Sequence, residues 1–206
     1  MLGGLGGLAR RQLLSKGAKA LRNSNIAKKQ EFIKTLNGEE KDLARINLEK
    51  ELNITPIKEF GKNYAEFYHN PNGAINKLLA EKKGQVVGAF YRKDLGDIDL
   101  VWGDIKIGLR KILDKHIDDF KNFSGNTPLE KISNALDEII KNGKIVNKNG
   151  VITVWHKKGD EYYKLGISQG FNNSGENKWI ITSYEATREK DKTFGDVLFT
   201  DKRPLT

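Results

Sequence analysis

Lys144-Ile145-Val146-Asn147-Lys148-Asn149-Gly150-Val151-Ile152-Thr153-Val154-Trp155-His156-Lys157 is the stretch that decides the fold. Asn149-Gly150 between two β-prone runs is the strongest short hairpin signal, because both residues accept the positive φ that a two-residue turn demands. Lys158-Gly159-Asp160 then turns the chain into Glu161–Ser168. There Tyr163, Leu165 and Ile167 alternate with Tyr162, Lys164 and Gly166, the period of two of a half-buried strand. Gly170 through Asn177 reads as a polar loop and Lys178–Glu185 as the last strand. From Ala186 onward the chain is polar with little pattern, a tail or an edge.

Upstream of the meander the punctuation is helical. Thr127-Pro128-Leu129-Glu130 supplies a cap, a proline in the first turn and a glutamate at the third position, and Asn142-Gly143 supplies a stop. Ile132, Leu136, Ile139 and Ile140 form the inner face between them. Asp104 is the expected cap of a preceding helix running to about Phe123, with Leu109, Leu113, Ile117 and Phe120 as its stripe. Before that, Val86–Tyr91 and Ile98–Trp102 flank Leu95-Gly96 as a hairpin. Ala74, Ile75, Leu78 and Leu79 recur at helical spacing after the turn Asn70–Gly73, and Lys82-Lys83-Gly84 closes that helix. The fold class expected is α+β: helices packed on an antiparallel sheet of about four strands.

The amino end differs. No acidic residue precedes Glu31, while Arg10, Arg11, Lys16, Lys19, Arg22, Lys28 and Lys29 do. Arg10 and Arg11 follow the short Leu2/Leu5/Leu8 stretch, the reverse of a secretory signal, so no cleavable signal is expected. From Ser24 to about Leu52 the pattern is helical, interrupted at Asn37-Gly38 and ended at Thr55-Pro56. This divides the chain into a basic, helical lead-in over 1–58 and a main domain over 59–206.

Composition narrows the function. With 206 residues, 37% hydrophobic and 31% charged, and nine Phe, six Tyr and three Trp, the chain can bury a core. A mean hydropathy of −0.59 and the lack of any apolar run near the roughly 18 residues of a spanning helix argue against membrane insertion. Zero cysteines exclude disulfides, a thiolate nucleophile and Cys-ligated metals. Thirty-six Lys and Arg against 27 Asp and Glu leave +9, which favours a polyanionic partner, nucleic acid first.

Only three histidines are present. His69 precedes a turn and reads as an exposed turn residue. His156 ends a strand on the side of Ile152 and Val154, to line a groove or to pack. His116 sits at the seam between the apolar stripe of its helix and the flank bearing Lys111 and Lys115, where a half-sheltered imidazole is available as a base near neutrality. In the last strand Thr182 and Tyr184 share one face; Trp179, Ile181 and Ser183 share the other. Asp97, Asp99 and Asp104 offer a rival reading as a magnesium cluster, completed by Glu161 with Lys164. Tyr162, Trp155, Trp102 and Phe171 either stack on bases or fill the core.

Three runs together carry a resemblance: Gly84-Gln85-Val86-Val87-Gly88-Ala89-Phe90-Tyr91-Arg92, Gly96-Asp97-Ile98-Asp99-Leu100-Val101-Trp102-Gly103-Asp104, and Gly108-Leu109-Arg110-Lys111-Ile112-Leu113-Asp114-Lys115-His116. It continues through Gly143–Val146, Tyr163–Ile167 and Trp179–Tyr184. Over about Phe60 to Glu185 the chain resembles the phage and mobile-element branch of the barnase/EndoU/colicin/RelE-like ribonuclease toxins.

The resemblance implies a metal-independent endoribonuclease with no cofactor, cutting RNA (tRNA among the candidates) by attack of the ribose 2′-OH. It implies a cytoplasmic site of action, delivery by a phage, conjugative or secretion system, and an acidic immunity or antitoxin partner. The family's helix often has histidine where this chain has Lys111, leaving His116 alone. A Lys-His pair with a hydroxyl and an aromatic on a late strand is similar to the colicin D type of site, a part that Lys115-His116 and Ser183-Tyr184 fill here. Metal-free cleavage needs a base, an acid and cations for the pentacoordinate phosphate. His116 is the candidate base or acid; Lys115, Lys111 and Lys164 are candidate phosphate ligands; Thr182, Ser183 and Tyr184 are candidate donors to phosphate oxygens. Alternation favours Thr182 and Tyr184, the colicin D likeness favours Ser183, and both stand. Arg110, His156, Lys157 and Lys178 are candidate RNA contacts. The alternative is a non-catalytic nucleic-acid-binding or protein-interaction module of a mobile element.

Overall fold

The computed structural model describes residues 23–200; the basic arm from Arg10 to Arg22 and the last six residues lie outside that range. The chain divides into two compact units between Ile54 and Thr55. In the first, helix α1 covers 23–35 and α2 covers Gly38–Leu52. Ile33, Arg45 and Leu48 are buried, and Lys29 pairs with Glu51. Phe32, Leu43 and Ile46 stay exposed.

The second unit holds the strands β1 (Gln85–Arg92), β2 (Gly96–Val101), β3 (Lys144–Lys148), β4 (Val151–Lys158), β5 (Glu161–Phe171) and β6 (Ser174–Glu185). They form one sheet in the order β1-β2-β6-β5-β4-β3. The sheet has six strands rather than about four, and it is mixed. The β1–β2 hairpin joins the meander through a short parallel pairing, Ile98↔Lys178 and Asp99↔Trp179. Between β2 and β6 the chain passes through two helices and three strands, the crossover that a parallel pairing requires.

Helices α3 (Pro71–Glu81), α4 (Gly108–His116) and α5 (Pro128–Asn142) follow their caps. Asn70 accepts from Gly73 N–H at 2.9 Å, and Thr127 accepts from Glu130 N–H at 3.2 Å. Helix α5 buries Ile132, Ala135, Leu136, Ile139 and Ile140 against β1, β4 and β5. Asp104 caps a turn rather than the helix: its carboxylate accepts from Lys106 and Ile107 N–H at 2.7 and 3.1 Å, and α4 starts only at Gly108.

Three expectations change in the meander. The polar loop shrinks to Asn172 and Asn173, which take φ of 51° and 60° and turn the chain within two residues, so β5 reaches Phe171. A bulge at Ile181 shifts the β5–β6 register, since Gly166 pairs with Thr182 but Ile167 with Ile180. Ile180 therefore fills the core, and Ile181 does not. Finally, the supposed tail contains α6 (Glu189–Thr200), packed on the sheet face away from α5 through Trp155–Phe194 and Tyr162–Phe199 ring contacts at 5.0 and 5.7 Å.

Candidate active site

Helix α4 stops at His116, whose φ of −135° and ψ of 13° break the α geometry, and a 3₁₀ turn follows over Ile117–Phe120. The buried residues are then Leu109, Ile112 and Phe120; Leu113 is only half-buried, and Ile117, expected in the stripe, is exposed. Beyond its pairing with β2, β6 has a bare edge, and α4 with the 3₁₀ turn lines it. The Asp119 carboxylate satisfies one edge amide, accepting from Glu185 N–H at 3.1 Å. The same oxygen lies 3.1 Å from His116 Nδ1. An ionised carboxylate only accepts, so Nδ1 carries the hydrogen, which in the neutral imidazole leaves Nε2 as the acceptor. The ring is 24% exposed and stacks on Tyr184 at 5.3 Å and 29°.

The sheet extends this arrangement into a row. Trp155 pairs with Lys164, and Lys164 with Tyr184, so three adjacent strands present these side chains on one face. Lys164 Nζ lies 4.8 Å from the Trp155 ring and 5.6 Å from the Tyr184 ring. His116 completes the line from beyond β6. Thr182 stands in the next row, opposite Gly166, and its Oγ1 is buried without a partner.

The remaining sequence candidates fall elsewhere. Ser183 lies on the core face opposite Leu165, with its hydroxyl donating to Lys164 C=O at 2.9 Å; the Ser183 expectation is corrected by this strand parity. Lys111 and Lys115 lie about 140° and 100° round the helix from His116, so the ring's charged partner is Asp119 and not an ammonium. Arg110 points toward Asp114 at 3.5 Å. His156 packs structurally: Nε2 is 3.0 Å from Glu138, and the ring lies 6.3 Å from Phe123. Lys157 is exposed near the Tyr162 ring. Lys178 sits six residues from Tyr184 along β6, roughly 20 Å away.

Carboxylates shape the electrostatics. Asp191 at the start of α6 holds Lys164 at 3.3 Å. Burial, helped by the Glu161 and Asp119 charges, pushes the Glu185 carboxyl up. Burial also pulls Glu138 upward, but hydrogen bonds from Lys158 and His156 outweigh it and hold Glu138 low. The acidic residues weighed for magnesium are each engaged separately. Asp97 binds His69 at 2.7 Å and Tyr68 at 2.9 Å. Asp99 accepts from Gly88 N–H and Asn177, both at 2.8 Å, and Asp104 makes its turn. Among the described residues no three His, Asp or Glu side chains gather as a metal site requires. No helix among them is long and apolar enough to cross a membrane.

Asp119, Asp191 and the raised Glu185 escaped the sequence reading. The one signal available for Asp119 was its place three residues after a histidine. Residues 89–190 match the family model of the phage-Barnase-EndoU-ColicinE5/D-RelE like nuclease 1, a span that takes in His116, Asp119, Lys164, Thr182 and Tyr184. None of the curated proteins and none of the solved structures matches the chain.

Proposed function

We propose, from a chain whose residues 89–190 belong to this nuclease family, that it is a metal-independent endoribonuclease of the toxin type. The observation that carries the reading is the line Lys164–Tyr184–His116–Asp119 along the β6 edge. His116 Nε2 takes the proton of the ribose 2′-OH, and O2′ attacks phosphorus. The P–O5′ bond breaks, and the Tyr184 hydroxyl returns a proton to the leaving oxygen. Lys164 offsets the charge of the pentacoordinate phosphate, and the Thr182 hydroxyl donates a hydrogen bond to one of its oxygens. Asp119 is a positioning residue that fixes the tautomer. Lys111, Lys115, Arg110 and Lys157 serve the strand more remotely, as phosphate contacts. The nuclease domain spans 59–206 in this reading, with tRNA as the first substrate to try. It acts in the cytoplasm of a target cell, and an acidic immunity protein is the natural inhibitor of so basic a cleft.

The test is digestion of total RNA in excess chelator. Wild-type protein yields ends carrying 2′,3′-cyclic phosphate, and His116→Ala lowers the rate about 10²- to 10⁴-fold. Cleavage that needs a divalent ion, or that survives the substitution, overturns the proposal. The Lys164–Asp191 pair favours a second reading, a nucleic-acid-binding module whose lysine is held in an ion pair until a phosphate displaces the carboxylate. That reading predicts salt-dependent RNA binding with no cleavage under any ion condition.

A further inference from the structure

On the β3–β4 side of Lys164 an open cleft of about 450 Å³ runs along the outer face of the sheet. Trp155, Thr153 and Val146 form its floor, Phe194 of α6 forms a wall, and Lys148 stands at the end opposite Lys164. We infer that this cleft holds the nucleotide adjoining the scissile phosphate, with its base against Trp155 and Phe194 and its two flanking phosphates on Lys164 and Lys148. The inference rests on the nuclease reading and deepens it.

The walls and the ends point to the same ligand class. Trp155 is buried beneath Phe194 and Lys164, its ring centroid 5.0 Å from that of Phe194 at a tilt of 46°, and Phe194 is 43% exposed, so the aromatic surface left for a planar base is that of Phe194 braced on Trp155. The lining carries two ammonium groups, and among the described residues no carboxylate lines the cleft. Lys148 pairs with Val151 and Lys164 with Trp155. The two lysines stand on the strands flanking β4, about four residues apart along it and two strand spacings apart across it, roughly 16 Å between backbones, a span that their flexible stems shorten toward the length of one nucleotide. Asp191 occupies Lys164 in the free protein, so a phosphate entering the cleft exchanges with that carboxylate. A purely apolar ligand would leave both ammonium groups without purpose, and a free anion would leave the aromatic wall without one. Phe194 also lies outside residues 89–190, which makes this wall an addition to the matched nuclease segment.

The probe is adenosine or uridine 3′,5′-bisphosphate titrated calorimetrically into the full chain. Phe194→Ala and Lys148→Ala, both at exposed positions, each weaken binding about tenfold, while His69→Ala, remote from the cleft, leaves it unchanged. Circular dichroism and thermal melting verify that both variants fold. Absent binding, or binding indifferent to both substitutions, overturns the subsite, as does inorganic phosphate competing as well as the nucleotide. If His116→Ala abolishes cleavage while the bisphosphate fails to bind, the subsite falls and the nuclease stands. If the bisphosphate binds as stated while the wild type cuts no RNA, the nuclease falls and a nucleotide site remains.

Discussion

Two regions of the main domain each set an imidazole on a carboxylate, the half-buried His116 on Asp119 at 3.1 Å and the exposed His69 on Asp97 at 2.7 Å. By distance alone the second is the better pair. The surroundings differ. His116 stacks on Tyr184, whose ring also lies 5.6 Å from Lys164 Nζ, and an unpartnered hydroxyl stands in the neighbouring row. His69 stacks on Tyr68 at 3.8 Å, and Tyr68 donates to the same Asp97 carboxylate. Among the described residues no lysine or arginine is paired with Asp97. Phosphoryl transfer concentrates negative charge on the phosphorane oxygens, so a base without a cation lacks the larger part of the machinery. The comparison teaches that an imidazole–carboxylate pair is a local structural device, and that what lies across the ring from it decides whether it does chemistry.

The sharpest way to break this contrast is exchange of the two histidines for alanine in turn. His116→Ala removes RNA cleavage by the factor given above, and His69→Ala leaves it within about twofold; comparable losses from both would merge the two regions into one site. Next in size is a pH effect confined to the β1–β2 region. Burial above all, opposed by the Asn177 and Gly88 hydrogen bonds and aided by Asp97, raises Asp99 from 3.8 to about 6. The folded chain then keeps a proton that the unfolded chain has released. Stability therefore falls as pH climbs from about 4 to about 6, by about 3 kcal/mol in all. Asp99→Asn removes that slope in denaturant titrations run across the window, and a slope persisting in the variant would locate the titration elsewhere.

Asp119→Asn comes third. The amide still offers an oxygen to Glu185 N–H but no longer compels Nδ1 to carry the hydrogen. The expected loss is about 10- to 100-fold in kcat with KM little changed. An effect on KM alone would make Asp119 a mere edge cap of β6.

The same contrast explains what the sequence could tell. Caps and tight turns are local, so Thr127-Pro128, Asn149-Gly150 and the alternation around Leu165 read correctly. Tertiary decisions are not local. The bulge at Ile181 reverses strand parity by one residue, yet Thr182 and Tyr184 keep the face that alternation assigned them because Ser183 lies across from Leu165. The passage from α to 3₁₀ at His116 turned a helical-wheel argument into a misplacement of Ile117 and hid Asp119. Helix α6 went unseen because its apolar residues are few and spread among charges, and only Trp155 and Tyr162 give them a surface. His69 read as an exposed turn residue, and 41% exposure agrees; its bond to Asp97 is invisible from a position 28 residues away.

The smallest effect tests the structural half of the comparison. His69 takes φ of 55°, a left-handed conformation that costs a non-glycine residue free energy, and its N–H donates to Gly88 C=O at 2.8 Å. The stack on Tyr68 and the bond to Asp97 offset that strain. Because the pair is open to water, screening leaves it worth no more than about 1 kcal/mol. His69→Ala therefore lowers unfolding free energy by about 1 kcal/mol, while His69→Asn, better suited to positive φ, recovers part of it. The measurement is chemical denaturation at neutral pH, with RNA cleavage assayed in parallel. A variant that unfolds normally but binds or cuts RNA several-fold less well would move His69 from scaffold to site, and the missing cation would then have to come from the substrate's side of the complex.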